Sequence, residues 1–199
     1  MERILCMTRL TGRLFILAGL FVTQACHHSV RPVFSGPELL SSGKEWRMYP
    51  VIADVNSDRR PDIVATHRRP LYENSLHFFT GSGDGKFTEL PPTWSSPGYS
   101  GIAVDDINGD RKLDILAVSH FNRIHTYLGT DQGTGRFKES VLPTSDGYVQ
   151  ARLLDLDGDK TPEAVVLGNE KAGLEIYRWS NDSWTPAQRY LEGKIGREF

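Results

Sequence analysis

The sequence predicts an all-β fold, an incomplete β-propeller of about three four-stranded antiparallel blades, and three observations predict it. Nineteen Gly and eleven Pro fall in short clusters between apolar segments, the punctuation of many short strands. An acidic nine-residue segment recurs three times, starting at Asp54, Asp106 and Asp155. Around each recurrence the same strand signals reappear, so that a unit of about 50 residues carries four strands, the size of one blade.

Composition narrows the function classes. The 199 residues are 39% hydrophobic and 24% charged, which excludes wholesale disorder and collagen-like repeats. A formal charge of −2 is too balanced for a nucleic-acid binder. Two cysteines do not make a disulfide framework.

Residues 1–25 read as a signal peptide. Arg3, Arg9 and Arg13 precede an apolar run at 14–22, and Thr23-Gln24-Ala25 leads into Cys26. A basic start, an apolar run of about 7–15 residues and a small residue at the cut make a secretory signal. The run is shorter than the roughly 20 residues a membrane-spanning helix needs. Cleavage removes Cys6, leaving Cys26 as a lone cysteine at or beside the new N-terminus, which is unusual in an oxidising compartment. The site resembles a bacterial lipoprotein signal, which implies lipidation of Cys26, a lipid anchor and a place in the bacterial cell envelope. Thr23 stands where that pattern has Leu, and Gln24 is bulky. Ordinary cleavage after Ala25, giving a periplasmic or secreted chain, is the alternative. Either cut removes three Arg and one Glu, so the mature charge becomes −4.

Residues 26–44 form the mature N-terminus with an orphan blade strand at 33–40. Phe34 lies 20 residues before Asp54, much as Phe87 lies 19 before Asp106 and Phe137 lies 18 before Asp155. Repeat 1 (45–96) carries short strands at 49–53, 63–65 and 76–79, then a Gly-rich turn into Phe87. Repeat 2 (97–145) follows with 101–104, 115–118, 124–128 and a turn into Phe137. Repeat 3 (146–190) has 149–153, 164–167, 174–177 and a degenerate Asp182-Ser183-Trp184. Residues 191–199 are a C-terminal tail. Three blades are fewer than the roughly 4–8 that close a propeller. A truncated fragment, self-association that completes the ring, and a short open array all stay open.

The acidic segments read Asp54-Val55-Asn56-Ser57-Asp58-Arg59-Arg60-Pro61-Asp62, Asp106-Ile107-Asn108-Gly109-Asp110-Arg111-Lys112-Leu113-Asp114 and Asp155-Leu156-Asp157-Gly158-Asp159-Lys160-Thr161-Pro162-Glu163. Oxygen-bearing side chains at positions 1, 3, 5 and 9 converge when the backbone wraps tightly, and a hard cation with 6–8 oxygen ligands, Ca²⁺ above all, suits such a set. The pattern is no EF-hand, because position 6 lacks Gly, position 12 lacks Glu and a β run follows each segment. Ten of the 24 mature acidic residues sit here, and three or four carboxylates in nine residues repel unless compensated. Three polar turns with no metal are the plain alternative. Acid–base catalysis fits less well, since it needs carboxylates in contrasting environments.

This loop, the apolar strand after it and the later Gly85-Lys86-Phe87-Thr88 resemble VCBS/FG-GAP-type repeats, the blade units of integrin-α-like propellers, over residues 45–190. The resemblance implies up to three structural Ca²⁺ ions. Their ligands would be Asp54, Asn56, Asp58 and Asp62; Asp106, Asn108, Asp110 and Asp114; and Asp155, Asp157, Asp159 and Glu163. The position-7 carbonyls of Arg60, Lys112 and Thr161 would join them. The absent Gly-Ala-Pro after the second strand favours the VCBS variant.

Other residues carry weaker signals. His67 and His120 read as rim residues, and His77 and His125, aligned with Glu175, read as outward-facing. Trp46, Trp94, Trp179 and Trp184 read as packing residues with sugar stacking as the lesser option, and Arg59, Arg60, Arg68 and Arg69 as rim charges. No Ser/His/Asp constellation, phosphate loop or zinc spacing is present. The expectation is therefore an exported calcium-binding scaffold, not an enzyme, with a protein or carbohydrate ligand and no nucleic-acid partner. An accessory or catalytic part of a polysaccharide-degrading enzyme is the alternative.

Overall fold

Every apolar run singled out in the three repeats becomes a strand, and among the described residues the strands pair with their sequence neighbours. The computed structural model describes residues 46–67, 75–90, 99–130, 136–169 and 173–190. The signal segment, Cys26, the orphan strand at 33–40, Arg68, Arg69, Trp94 and the tail lie outside the described residues.

Sheet 1 contains β1 (Trp46–Ala53), β2 (Asp62–His67), β3 (Leu76–Gly81) and β4 (Phe87–Glu89). Sheet 2 contains β5 (Tyr99–Asp105), β6 (Asp114–Ser119), β7 (Arg123–Gly129) and β8 (Phe137–Pro143). Sheet 3 contains β9 (Tyr148–Leu154), β10 (Glu163–Gly168), β11 (Leu174–Ser180) and β12 (Ser183–Tyr190). Each is a four-stranded antiparallel meander in sequence order, and no helix occurs among the described residues. This is the all-β, open set of propeller blades that the repeats predict.

The second strand of each sheet carries the apolar run because both its edges are hydrogen-bonded and its faces are covered. Sheet 2 shows this most fully, being sandwiched between two apolar clusters. On one side Ile115, Ala117 and Tyr127 pack with Val64, Leu76 and Phe78 of sheet 1. On the other, Leu116, Val118 and Ile124 pack with Tyr148, Ala151, Val166 and Trp184 of sheet 3. β6 is consequently buried along its whole length, as expected for a strand covered on two faces. Each fully buried aliphatic side chain there contributes about 1.5–3 kcal/mol. A cross-sheet hydrogen bond, Trp184 Nε1–H to Thr126 Oγ1 at 2.8 Å, fixes how sheet 3 sits on sheet 2.

Strand pairing gives an internal alignment of the repeats. Phe79, Tyr127 and Tyr177 lie opposite Ile63, Ile115 and Ala164, the residues that follow position 9 of the acidic loops. By the same register Leu116, Val118 and Ile124, all fully buried, correspond to Val165, Leu167 and Leu174, which are half-buried. Sheet 3 thus turns a partly covered apolar face away from sheet 2.

The first strands lie side by side, β5 touching both β1 and β9. Each acidic loop joins the first strand of its sheet to the second, so the sheet holds both ends of the loop rigidly.

Two expectations are corrected by burial. His77 and His125 do not face outward: they are 7% and 1% exposed, and their aligned Glu175 is 3% exposed. His77 Nδ1 meets Glu89 Oε1 at 2.5 Å and His125 Nδ1 meets Glu139 Oε1 at 3.1 Å. Glu175 accepts from Tyr148, Tyr177 and Arg189. Burial lowers the His125 pKa and raises that of Tyr177 to about 12. His67 is buried too, its Nδ1 lying 2.6 Å from His77 Nε2. Alternation along a strand does not separate inside from outside when both faces are packed. These polar groups satisfy one another in the interior, as buried polar groups must.

Candidate functional site

The three acidic loops, loop 1 (residues 54–62), loop 2 (106–114) and loop 3 (155–163), share one backbone course. Positions 4 and 6 are left-handed in every copy: Ser57 and Arg59 at φ 60° and 69°, Gly109 and Arg111 at 76° and 70°, Gly158 and Lys160 at 82° and 75°. A non-glycine residue held at positive φ carries strain of about 1–2 kcal/mol. The loops accept it at position 6 three times, and the turn aims the amides of positions 4 to 6 inward.

Those amides converge on the position-1 carboxylate. Asp54 accepts from the N–H groups of Asp58 and Arg59 at 2.9 and 2.8 Å. Asp106 accepts from Gly109, Asp110 and Arg111 at 2.8, 3.0 and 2.8 Å. Asp155 accepts from Gly158 and Lys160 at 2.7 and 3.1 Å. The side chain at position 3 accepts from the amide of position 5, at 2.9 Å for Asn56, 3.0 Å for Asn108 and 3.3 Å for Asp157. Position 5 in turn accepts from position 7, at 2.8, 2.9 and 2.7 Å for Asp58, Asp110 and Asp159. Successive amides turned to one centre form an anion-binding concavity, which the loop fills with its own carboxylates.

Position 9 does a second job. Asp62 and Asp114 are fully buried. Asp114 Oδ2 accepts from Ile107 N–H at 2.9 Å, and its Oδ1 from Gly129 N–H at the end of β7 at 2.8 Å. Asp62 repeats this with Val55 and Gly81, both at 3.0 Å. One carboxylate therefore ties the loop to the third strand of its sheet. Burial pushes Asp114 up to about 6, outweighing the two amides that favour its ionised form. Burial likewise raises Asp62.

The strand must come close for this tie, which explains its glycine. A Cβ on Gly81 would lie 2.1 Å from the Pro61 carbonyl oxygen, and one on Gly129 would lie 2.9 Å from that of Leu113. The third sheet has Trp179 at the aligned position, two residues past Tyr177. Here the tie is rebuilt: Glu163, one methylene longer, accepts from Leu156 N–H at 2.9 Å and from Arg178 Nε–H at 3.2 Å. Sequence reasoning missed Gly81, Gly129 and Arg178. The two glycines carry a faint signal in closing the third strand of both well-formed repeats, whereas Arg178 is placed only by the register of β11.

Among the described residues, Asp155, Asp157 and Asp159 are the carboxylates that gather within 4.8 Å of one another as a group of three, and Glu163 stands outside that group. Two unit charges at about 4.8 Å repel by roughly 1 kcal/mol in bulk water and about 3–4 kcal/mol at an effective dielectric constant of 20. The donors are all carboxylate or amide oxygens on a preset loop, and a carboxylate that accepts one or two amides keeps lone pairs to spare. This set fits a hard divalent cation.

Comparison with known proteins agrees with the internal repetition. The FG-GAP-like repeat family matches residues 54–117 and 106–166, so that each match runs from one acidic loop through the next. A rat (Rattus norvegicus) protein named T-cell immunomodulatory protein is 22% identical over 188 residues, covering 88% of this chain. The matched region is 29% of that protein's length.

Proposed function

The chain belongs to the FG-GAP-like repeat family, and on that premise we propose that it is an exported, calcium-binding interaction scaffold without catalytic activity. The observation that supports this best is the threefold oxygen cage: in every copy position 1 accepts from the amide of position 6, position 3 from that of position 5 and position 5 from that of position 7, while position 9 ties the loop to its sheet. Asp54, Asn56, Asp58 and Asp62 hold the ion in loop 1, and Asp106, Asn108, Asp110 and Asp114 hold it in loop 2. Asp155, Asp157, Asp159 and Glu163 are the corresponding residues of loop 3. The ion's part is structural: it neutralises the clustered carboxylates and locks the strained turn.

The partner is a protein or a carbohydrate. The half-buried outer face of sheet 3, with Val165, Leu167, Leu174 and Ile176, supports completion of the ring by further blades, including those of a second copy. Export, and lipidation of Cys26, rest on the N-terminal sequence alone.

Thermal unfolding of the full chain in calcium, in magnesium and in chelator tests the metal. Calcium at 100 times Kd stabilises by about 2.7 kcal/mol per site, and Asp106→Ala with Asp110→Ala removes the share of loop 2. Equal melting temperatures in calcium and chelator overturn the reading.

A further inference from the structure

Loop 3 departs from loops 1 and 2 at two ligand positions. Position 3 is Asp157 where the others have Asn56 and Asn108, and position 9 is Glu163 where they have Asp62 and Asp114. Both departures meet the same side chain. Arg178 Nη2–H donates to Asp157 Oδ2 at 2.8 Å, and its Nε–H donates to Glu163 Oε1 at 3.2 Å. The guanidinium fork spans two of the four positions assigned to a metal ion, with two donors set in a plane.

The partner at position 9 is buried, with a side-chain exposure of 4% for Glu163. A charge placed there must be compensated, and in loops 1 and 2 the compensation differs. Asp62 and Asp114 receive only neutral amide dipoles in the bonds described above. In register with Arg178, one residue past Phe79 and Tyr127, stand Thr80 and Leu128, neither of them cationic. The cations of those loops belong to the loops themselves. Arg59, Arg60 and Arg111 are exposed, and the Lys112 ammonium reaches Asp110, at position 5, at 3.3 Å. Arg178 comes instead from β11, whose backbone the sheet fixes.

We propose that Arg178 is the resident cation of loop 3: it takes up the carboxylates at positions 3 and 9, the positions whose side chains loops 1 and 2 offer to calcium. The chain then has two calcium-dependent loops and one held shut from within. A divalent ion entering loop 3 meets a guanidinium already bound to two of its ligands, and it must displace that group or bear its repulsion. The proposal rests on the calcium reading above and adds the residue that divides the loops into two kinds.

Calorimetric titration of the full chain with calcium, checked by equilibrium dialysis, tests it. The expected result is two strong ions per chain, with any third at least tenfold weaker, and three strong ions for Arg178→Met. Three equal sites in the unaltered chain overturn the inference and leave the calcium reading standing, as does an unchanged count in Arg178→Met. No binding in either chain overturns the calcium reading itself, and the inference with it. Should Arg178→Met fail to fold by circular dichroism, the transplant Asn56→Asp with Thr80→Arg gives loop 1 the loop 3 arrangement. It is expected to lose one strong site, and retention of both overturns the inference.

Discussion

Loops 2 and 3 solve one mechanical problem with different chemistry. Each must fasten an acidic turn to the third strand of its sheet. Loop 2 does so with a short carboxylate, Asp114, and a backbone amide, Gly129, that approaches because it carries no Cβ. Loop 3 has Trp179 in that register, uses the longer Glu163, and recruits the side chain of Arg178. A backbone amide brings no net charge, so the tie to Gly129 leaves the charge of Asp114 uncompensated. A guanidinium brings its own. The anchoring residue in these loops is also position 9 of the proposed metal site, so a change in how it anchors bears directly on that proposal.

The largest effect is expected at the anchor. Asp114→Ala strands two amides in or near the interior, each worth about 1–3 kcal/mol, and should cost about 4 kcal/mol in urea unfolding. Glu163→Ala takes one of two partners from the exposed Arg178, which keeps Asp157, and strands the amide of half-exposed Leu156, for about 1–2 kcal/mol. Equal losses would break the comparison.

The glycines come next. Gly81→Ala forces a 2.1 Å approach to the Pro61 carbonyl and should cost about 3 kcal/mol, in the upper range for overpacking. Gly129→Ala, with a 2.9 Å approach, should cost about half as much. At this chain length about 1 kcal/mol shifts the melting temperature by roughly 2–4 °C, so thermal scans resolve the two.

The pH dependence follows with a definite sign. Asp114 has its pKa raised from 3.8 to about 6 in the folded chain, so the folded state binds that proton more tightly than the unfolded state. Its contribution is complete below pH 3.8 and is lost as pH rises through about 6. In chelator, the stability of the unaltered chain minus that of Asp114→Asn should fall between pH 4 and 6.5. A rising difference would contradict the burial argument.

The smallest effect belongs to the lysine of loop 2. Lys112→Ala removes a partly exposed pair with Asp110 and should change calcium-free stability by no more than about 0.5 kcal/mol. Arg178→Ala, which unpairs buried Glu163, should exceed it clearly in the same urea series.

Much of this was legible in the sequence because strand and loop signals are local. The runs at 63–65, 115–118 and 164–167 are apolar and β-rich, and each begins one residue after position 9 of an acidic loop. The Asp and Asn spacing likewise lies within nine residues. What the sequence hid is set by register and by the stacking of sheets. His125 and Glu175 alternate with apolar neighbours and look solvent-facing, yet both are buried: both faces of sheet 2 cover His125, and Glu175 lies against Tyr148 and Tyr177 of the cluster between sheets 2 and 3. Arg178 stands 21 and 15 residues from Asp157 and Glu163, and only the pairing of β10 with β11 brings them together. The anchoring role of Asp62 and Asp114 was hidden for the same reason, since Gly81 and Gly129 return from the far end of a hairpin.

Hydrogen exchange of the full chain, followed by mass spectrometry with and without calcium, reads the three loops separately. The account predicts that residues 54–62 and 106–114 gain protection in calcium, while 155–163 are protected to the same degree in both conditions. Equal gains in all three loops, or no gain in any of them, would contradict it.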